Sequence, residues 1–332
     1  MYPILVADIG GTNARYALAT GKTISQQEFV LEHQRTFATS DFASVADSLH
    51  AYLSSLPRDN RKPRSACMAL AGPIGSGIVK MTNLNWFFDR AELREQFDFE
   101  RVELINDFAA QACAIPCLSE SHRISIKEGN ADNSAPKVIM GPGTGLGVAN
   151  LVPSASGWIP ITGEAGHTSF TPGNALETDV LNFIWRQQAS ENRPQHLSTE
   201  NLLSGPGLVT LYRALAEIEG ISADNLQPNE ITENIANDAL CKKTVDIFCS
   251  ALGGLAGDLA LITGAKGGVF LAGGILPKIK TSLDESSFIS RFSNKGLMTD
   301  YMQSIPIDLV THPHAALVGA AAWQESQYRK DK

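Results

Sequence analysis

The run Ile4-Leu5-Val6-Ala7-Asp8-Ile9-Gly10-Gly11-Thr12-Asn13 is an apolar strand that empties into a glycine pair, and the chain re-enters a strand at Tyr16–Ala19. The same grammar returns at Val138–Met140, followed by Gly141-Pro142-Gly143-Thr144-Gly145-Leu146-Gly147. A glycine pair permits positive φ and close backbone approach, so successive N–H groups can face an anion. The Thr12 hydroxyl adds a donor, and Asp8 at the strand end is placed to hold a divalent cation through water. Either turn alone reads equally as a plain β-hairpin. Two of them, about half a chain apart, read better as a duplicated unit clamping a polyphosphate.

Working outward, Phe29–Phe37 supplies a third strand. Ser40 or Asp41 is expected to cap a helix whose apolar positions are Phe42, Val45, Leu49, Leu53 and Leu56. Arg58 to Arg64 reads as a charged loop, while Cys67–Leu70 and Glu103–Ile105 read as buried strands. After the second glycine turn the pattern is mostly helical: Thr178–Arg186, Gly207–Ile218 and Ala239–Ile262. The buried strand Val269–Ala272 ends in Gly273-Gly274, a third backbone approach, suited to adenosine. Gly205-Pro206-Gly207 opens a helix and offers its positive end. Asp308–Val310 is a late strand and Ala315–Trp323 a small-residue helix. Alternating strands and helices favour α/β layers.

The chain has 332 residues, which suggests two domains at roughly 100–200 residues each. The expected division is a small domain of residues 1–115 plus 308–332 and a large one of residues 116–307. Net charge is −8, which excludes nucleic acid as a bulk partner and requires an anionic nucleotide to be met by local features. No apolar run approaches the ~18–20 residues that span a bilayer, and no basic-then-apolar leader is evident. Five scattered cysteines do not form a disulfide framework, so a cytoplasmic location is expected and no membrane partner. Cys113 and Cys117 read as buried small apolar groups, and His312 and His314 as surface residues.

Other nucleotide signatures fail. G-x-G-x-x-G from Gly141 meets Leu146 where glycine is required, and a Walker loop ending at Gly21-Lys22-Thr23 meets Tyr16.

A second group of residues suits a polyol. Asn106-Asp107 follows a buried strand and opens the helix Phe108–Ala114, so Asp107 is either an N-cap or a carboxylate aimed into a cleft. Glu164-Ala165-Gly166-His167 sets a carboxylate three residues before an imidazole, fit for vicinal hydroxyls or an incidental surface loop. Glu200 precedes Leu202-Leu203 and would otherwise pass as a solvated residue of a first helical turn. Thr82-Asn83-Leu84-Asn85-Trp86 adds amides beside an aromatic. Such planar polar groups donate and accept in fixed directions.

Taken together these segments resemble the bacterial glucokinases, a branch of the sugar kinase, heat-shock ATPase and actin superfamily. The resemblance runs from Asp8–Arg15 through Met81–Asn83, Ile105–Phe108, Gly143–Val148, Gly163–His167 and Leu203–Leu208 to Gly268–Gly274. It implies an actin-like ATPase (ribonuclease H-like) α/β fold of two domains around a deep interdomain cleft. The activity implied is transfer of phosphate from ATP, with Mg²⁺, to the 6-hydroxyl of glucose by a homodimer. It further implies glucose contacts from Asn83, Asn106, Asp107, Glu164, His167 and Glu200, with Asp107 the base. Nucleotide contacts are implied for Ala7, Asp8, Ile9, Gly10, Gly11 and Thr12, beside Gly143, Thr144, Gly145, Gly205, Gly273 and Gly274. Ala165 departs from the glycine usual in relatives, and would strain the loop if it needed positive φ. A related group binds zinc through cysteines after its histidine; no cysteine lies between Cys117 and Cys241, so no structural zinc is expected. Rivals on the same fold are a kinase of another hexose, a sugar sensor, and an ATPase that needs no sugar.

Overall fold

The computed structural model describes residues 2–23, 28–57, 62–72, 74, 78–81 and 86–330. They form two compact units: Met1–Arg123, Leu151–Thr162 and His312–Lys332 in the first, Ile124–Asn150 and Gly163–Thr311 in the second.

In the first unit, β1 (Ile4–Ile9) pairs antiparallel with β2 (Asn13–Lys22), and β2 with β3 (Phe29–Ala38). The helix α1 (Val45–Ser54) then leads to β4 (Ser65–Leu70), parallel to β1. A small ribbon of β5 (Ile78–Lys80) and β6 (Phe87–Asp89) precedes α2 (Arg90–Gln96), β7 (Arg101–Asn106) and α3 (Asp107–Ala114). The sheet order is β3-β2-β1-β4-β7. Ile4–Ala7 of β1 and Ala66–Leu70 of β4 are continuous apolar runs because the core covers them, as for central parallel strands. The register sets Ile9 beside Leu70 and Leu70 beside Asn106, so the first glycine turn and Asp107 leave the same edge, two strands apart. At the usual spacing that is roughly 10 Å.

The second unit holds β8 (Arg123–Lys127), β9 (Lys137–Pro142) and β10 (Leu146–Ser154). The outer part of β10 turns into β11 (Gly157–Thr162), both grouped with the first unit. There follow α4 (Ala175–Ser190), α5 (Gly205–Glu219), α6 (Pro228–Glu233), α7 (Ala239–Thr263), β12 (Val269–Leu271), α8 (Lys280–Glu285), α9 (Phe288–Ser293), α10 (Thr299–Gln303) and β13 (Ile307–Val310). The helix α11 (Ala315–Lys330) returns to the first unit and packs on α3. The second sheet has the order β11-β10-β9-β12-β13-β8, with β12 parallel to both β9 and β13. Its first five strands repeat the order of the first sheet, so the repeated strand-turn-strand read in the sequence is a repeat of a whole sheet.

Three expectations are corrected. The cap of α1 is Ser44, whose hydroxyl accepts the Asp47 N–H at 3.1 Å, and not Ser40 or Asp41. Thr39–Asp41 forms its own 3₁₀ turn because Thr39 is bonded to the first glycine turn, which leaves Phe42 outside the helix. α7 is long and apolar enough to cross a membrane by composition, yet 72% of its apolar window is buried in the second unit's core. His312 and His314 are half-buried, packed beside residues of the first unit.

Candidate active site

In the first unit the turn is closed by the Gly10 N–H donating to the Asn13 carbonyl at 2.9 Å. Its next two carbonyls are taken up by one buried residue that sequence reasoning missed. Thr39 donates its hydroxyl to Gly11 O at 2.8 Å and its N–H to Thr12 O at 3.0 Å. With two of its carbonyls held by Thr39, the turn is fixed in shape. Gly10 is outside the left-handed region, so its role is clearance: nothing lies nearer an added Cβ than Asn13 O at 3.9 Å. The side chains of Ala7 and Ile9 are buried in the core, leaving only their backbone for a ligand.

Asp8 points a half-buried carboxylate at Arg15, Oδ2 to Nη1 at 3.0 Å. Burial pushes the Asp8 pKa up, while the Arg15 guanidinium and, more weakly, His314 pull it down. Arg15 faces Asp8 across the β1–β2 pair, which sets Asp8 opposite Arg15. His314 Nδ1 is buried without a hydrogen-bond partner among the described residues, and burial lowers its pKa. Next to it, His312 is pushed down to about 4 by burial first, then by His122, whose ring lies 4.4 Å away, and by His314.

At the end of β7, Asn106 rather than Asp107 is the N-cap. Its Oδ1 accepts the N–H groups of Phe108 at 3.0 Å and Ala109 at 3.1 Å, and its Nδ2 donates to Gly72 O at 3.2 Å. Asp107 is the first residue of α3, and its Oδ1 also accepts from Phe108 N at 2.9 Å. Capping therefore does not require a carboxylate at position 107. Gly72, at φ +117°, is required by this arrangement and was not singled out in the sequence. Asn83 lies outside the described residues.

The second unit draws its predicted residues into one cluster. Gly143 N–H donates to Gly145 O at 2.7 Å, and Gly205 N–H to Gly143 O at 2.8 Å, so the start of α5 is bonded to the second glycine turn. The Ser204 hydroxyl caps α5 at Gly207 N and donates to Glu200 O. Glu200 itself accepts the Leu146 N–H at Oε2, 2.7 Å away. It is thus no solvated surface residue. A Cβ on Gly145 would meet Glu200 Oε2 at 2.5 Å, so the bare glycine lets the Glu200 carboxylate keep its place. Gly273, at φ +91°, sits where a Cβ would press on Pro142 O at 2.4 Å, and ties that turn to the end of β9. Thr144 and Gly274 are exposed.

Glu164 precedes a 3₁₀ turn over Ala165–His167, closed by His167 N–H to Glu164 O at 3.0 Å. Ala165 keeps negative φ, so the departure from glycine costs no strain. This turn is joined to the Thr199–Asn201 turn by Thr199 N–H to Thr168 O at 2.8 Å and by the bridge between Ser169 and Ser198. Glu164 and His167 are exposed and Glu200 half-buried, so two carboxylates and an imidazole are presented beside the second glycine turn. Among the described residues no group of three or more His, Cys, Asp or Glu side chains could hold a metal ion.

Comparison with known proteins places this geometry. The profile of the glucokinase family matches residues 5–327. A glucokinase of Saccharophagus degradans is 45% identical over 325 residues, covering 97% of this chain and 98% of the relative. The crystal structure of a glucokinase from an Antarctic psychrotroph has a TM-score of 0.89 at 43% identity, over 98% of this chain and 99% of that one. A crystal structure of glucokinase from Balamuthia mandrillaris in complex with glucose shares the fold, with a TM-score of 0.73 at 22% identity over 96% and 92% of the two chains. The architecture is that of the two-domain, actin-like sugar kinases.

Proposed function

This chain belongs to the glucokinase family, and from that premise we propose that it moves the γ-phosphoryl group of ATP to the 6-hydroxyl of glucose. The observation that supports the assignment of the base is the place of Asp107, the first residue of α3 beside its Asn106 cap, at a strand edge shared with the first glycine turn.

In this reading Asp107 accepts the proton of the sugar hydroxyl as the phosphoryl group arrives. Transfer of this kind is loose in character, so orientation and charge matter more than the strength of the base. Asn106, Glu164, His167 and Glu200 hold the sugar's hydroxyls, each side chain offering donors or acceptors in a fixed plane. Asn83 is kept in the same role on resemblance alone. The turn at Asp8–Thr12 and the glycines at 143, 145, 205, 273 and 274, with Thr144, take the nucleotide. A single carboxylate, Asp8, fits Mg²⁺ of the kind that keeps its waters and rides on substrate phosphates, and an all-protein cage is not needed. The ion, held through water by Asp8, would neutralise charge on the β- and γ-phosphates. Arg15 keeps the Asp8 carboxylate oriented. A cytoplasmic homodimer belongs to the same proposal, on the family resemblance.

The test is ADP release from Mg-ATP with and without glucose. Release that depends on glucose supports the assignment, and release that ignores it removes the sugar site. Asp107→Asn should keep glucose binding and lose about 10²–10⁴-fold in kcat, the range of general-base catalysis. Near-wild-type turnover in that variant would sink the role given to Asp107.

A further inference from the structure

Two segments on the sugar side close on one residue, Leu146, of the nucleotide-side turn. Glu200 Oε2 holds the Leu146 N–H at 2.7 Å across 54 positions of sequence. On the other flank, a Cβ on Gly166 would stand 2.5 Å from the Leu146 carbonyl oxygen and 3.5 Å from Glu200 Oε2. Leu146 is therefore gripped at its N–H by the Thr199–Asn201 turn and crowded at its C=O by the Ala165–His167 turn. The clearance for this grip is built in: Gly145 is bare where a side chain would strike the Glu200 carboxylate. Glu200 O and Gly143 O are also tied to the start of α5, through Ser204 and Gly205.

We propose that Glu200 is a positioning residue for the Gly143–Gly147 turn, through which sugar binding and nucleotide binding strengthen one another. This rests on the reading of Glu200 as a glucose ligand. A carboxylate has two acceptor oxygens. Oε2 is committed to Leu146, while Oε1 has no partner among the described residues and is left for a sugar hydroxyl. A sugar on Oε1 fixes the carboxylate in the rotamer that Leu146 requires. A nucleotide that orders the turn fixes Leu146, and with it the carboxylate the sugar requires. Ordering done by one ligand need not be repeated by the other, and the resulting coupling is reciprocal.

The experiment is calorimetric titration of the full chain with Mg²⁺ and β,γ-imido-ATP, with and without saturating glucose, in the wild type, Glu200→Gln and Gly145→Ala. Glucose is expected to tighten nucleotide binding in the wild type within the usual range of about 5–150-fold. Glu200→Gln should weaken glucose and bring the ratio towards one. Gly145→Ala pushes aside only the end of the flexible Glu200 side chain, so it should keep the wild-type Tm while losing the coupling. Loss of packing alone would lower Tm and both affinities with the ratio intact, and that result overturns the proposal. So does a wild type without coupling. If Glu200→Gln weakens glucose but the ratio stands, the sugar assignment survives and the positioning role falls. If it leaves glucose binding unchanged, the sugar assignment falls and takes the positioning role with it.

Discussion

Gly319→Ala sets two principles against each other at the helix pair that carries Asp107. Helix propensity alone makes the change favourable by about 1 kcal/mol. The packing says otherwise. Gly319 of α11 lies on α3 so closely that a Cβ would fall 1.6 Å from the Ala110 carbonyl oxygen and 2.4 Å from its carbon. Side-chain carbons essentially never approach below 3.0 Å, and the obstacle is helix backbone, so α11 must retreat by more than an ångström. A gap of that size forfeits up to half of the dispersion attraction across the pair. Both helices carry small buried residues, Ala109, Ala110, Ala112 and Cys113 on α3 and Ala316 and Ala320 on α11, which cannot extend to fill it. Overpacking of this kind costs about 1–3 kcal/mol, and at about 2–4 °C per kcal/mol the Tm should fall by roughly 2–12 °C. Ala110 sits one turn from Asp107, so kcat should fall as well, by as much as about 10² for a displacement near 1 Å. Near-ultraviolet circular dichroism on heating, with steady-state kinetics on the same preparation, reads both. A Tm equal to or above wild type would refute the steric reasoning and leave propensity in charge.

The remaining predictions follow from single contacts. Asn106→Ala removes the cap of α3 and the tie to Gly72, and should cost about 0.5–2 kcal/mol in urea unfolding besides weakening glucose. Thr39→Val deletes the hydroxyl bond to Gly11 O; about 0.5–1.5 kcal/mol of stability should go, and nucleotide affinity should fall more than glucose affinity. The half-buried imidazole of His312 is pushed down to about 4, while an unfolded one titrates near 6.5. Between those values the unfolded chain binds more protons, so stability should fall as pH drops from about 6.5 to 4. His122 and His314 deepen this and Glu28 opposes it. His312→Gln should flatten the urea midpoint across that window, and a variant whose midpoint keeps the wild-type slope would assign the acid sensitivity elsewhere.

How much of this was legible in the sequence depends on whether a residue acts along the chain or across it. Strand cores such as Ile4–Ala7 and Val138–Met140 announce themselves by composition, because burial on both faces leaves a continuous apolar run. The glycine turns announce themselves by local sequence. Their anchors do not: Thr39 is an ordinary threonine at a strand end until the hairpin brings it 28 positions back to Gly11. Glu200 carried only the signal of a first helical turn, and its bond to Leu146 belongs to the packing of two turns. Arg15 was part of a recognised motif, but its pairing with Asp8 needs the β1–β2 register. The cap of α3 was placed one residue late, since Asn and Asp are equally good caps and only the geometry chooses between neighbours.

The repeated sheet shows why one half came out clearer than the other. In each copy the chain leaves the strand beside the glycine hairpin through a glycine held at positive φ two residues past the strand end, Gly72 after Leu70 and Gly273 after Leu271. Ligands of parallel sheets gather at these carboxyl ends. The two copies then use the same position differently. Gly273 is pressed against Pro142 and serves the turn of its own hairpin, whereas the Gly72 carbonyl receives Asn106 and so steadies the start of α3. Gly273 stands in a doublet after an apolar strand and catches the eye; Gly72 stands alone before a proline. The backbone requirement is the same in both copies, and it is the contacts of the two glycines, not the fold around them, that have diverged.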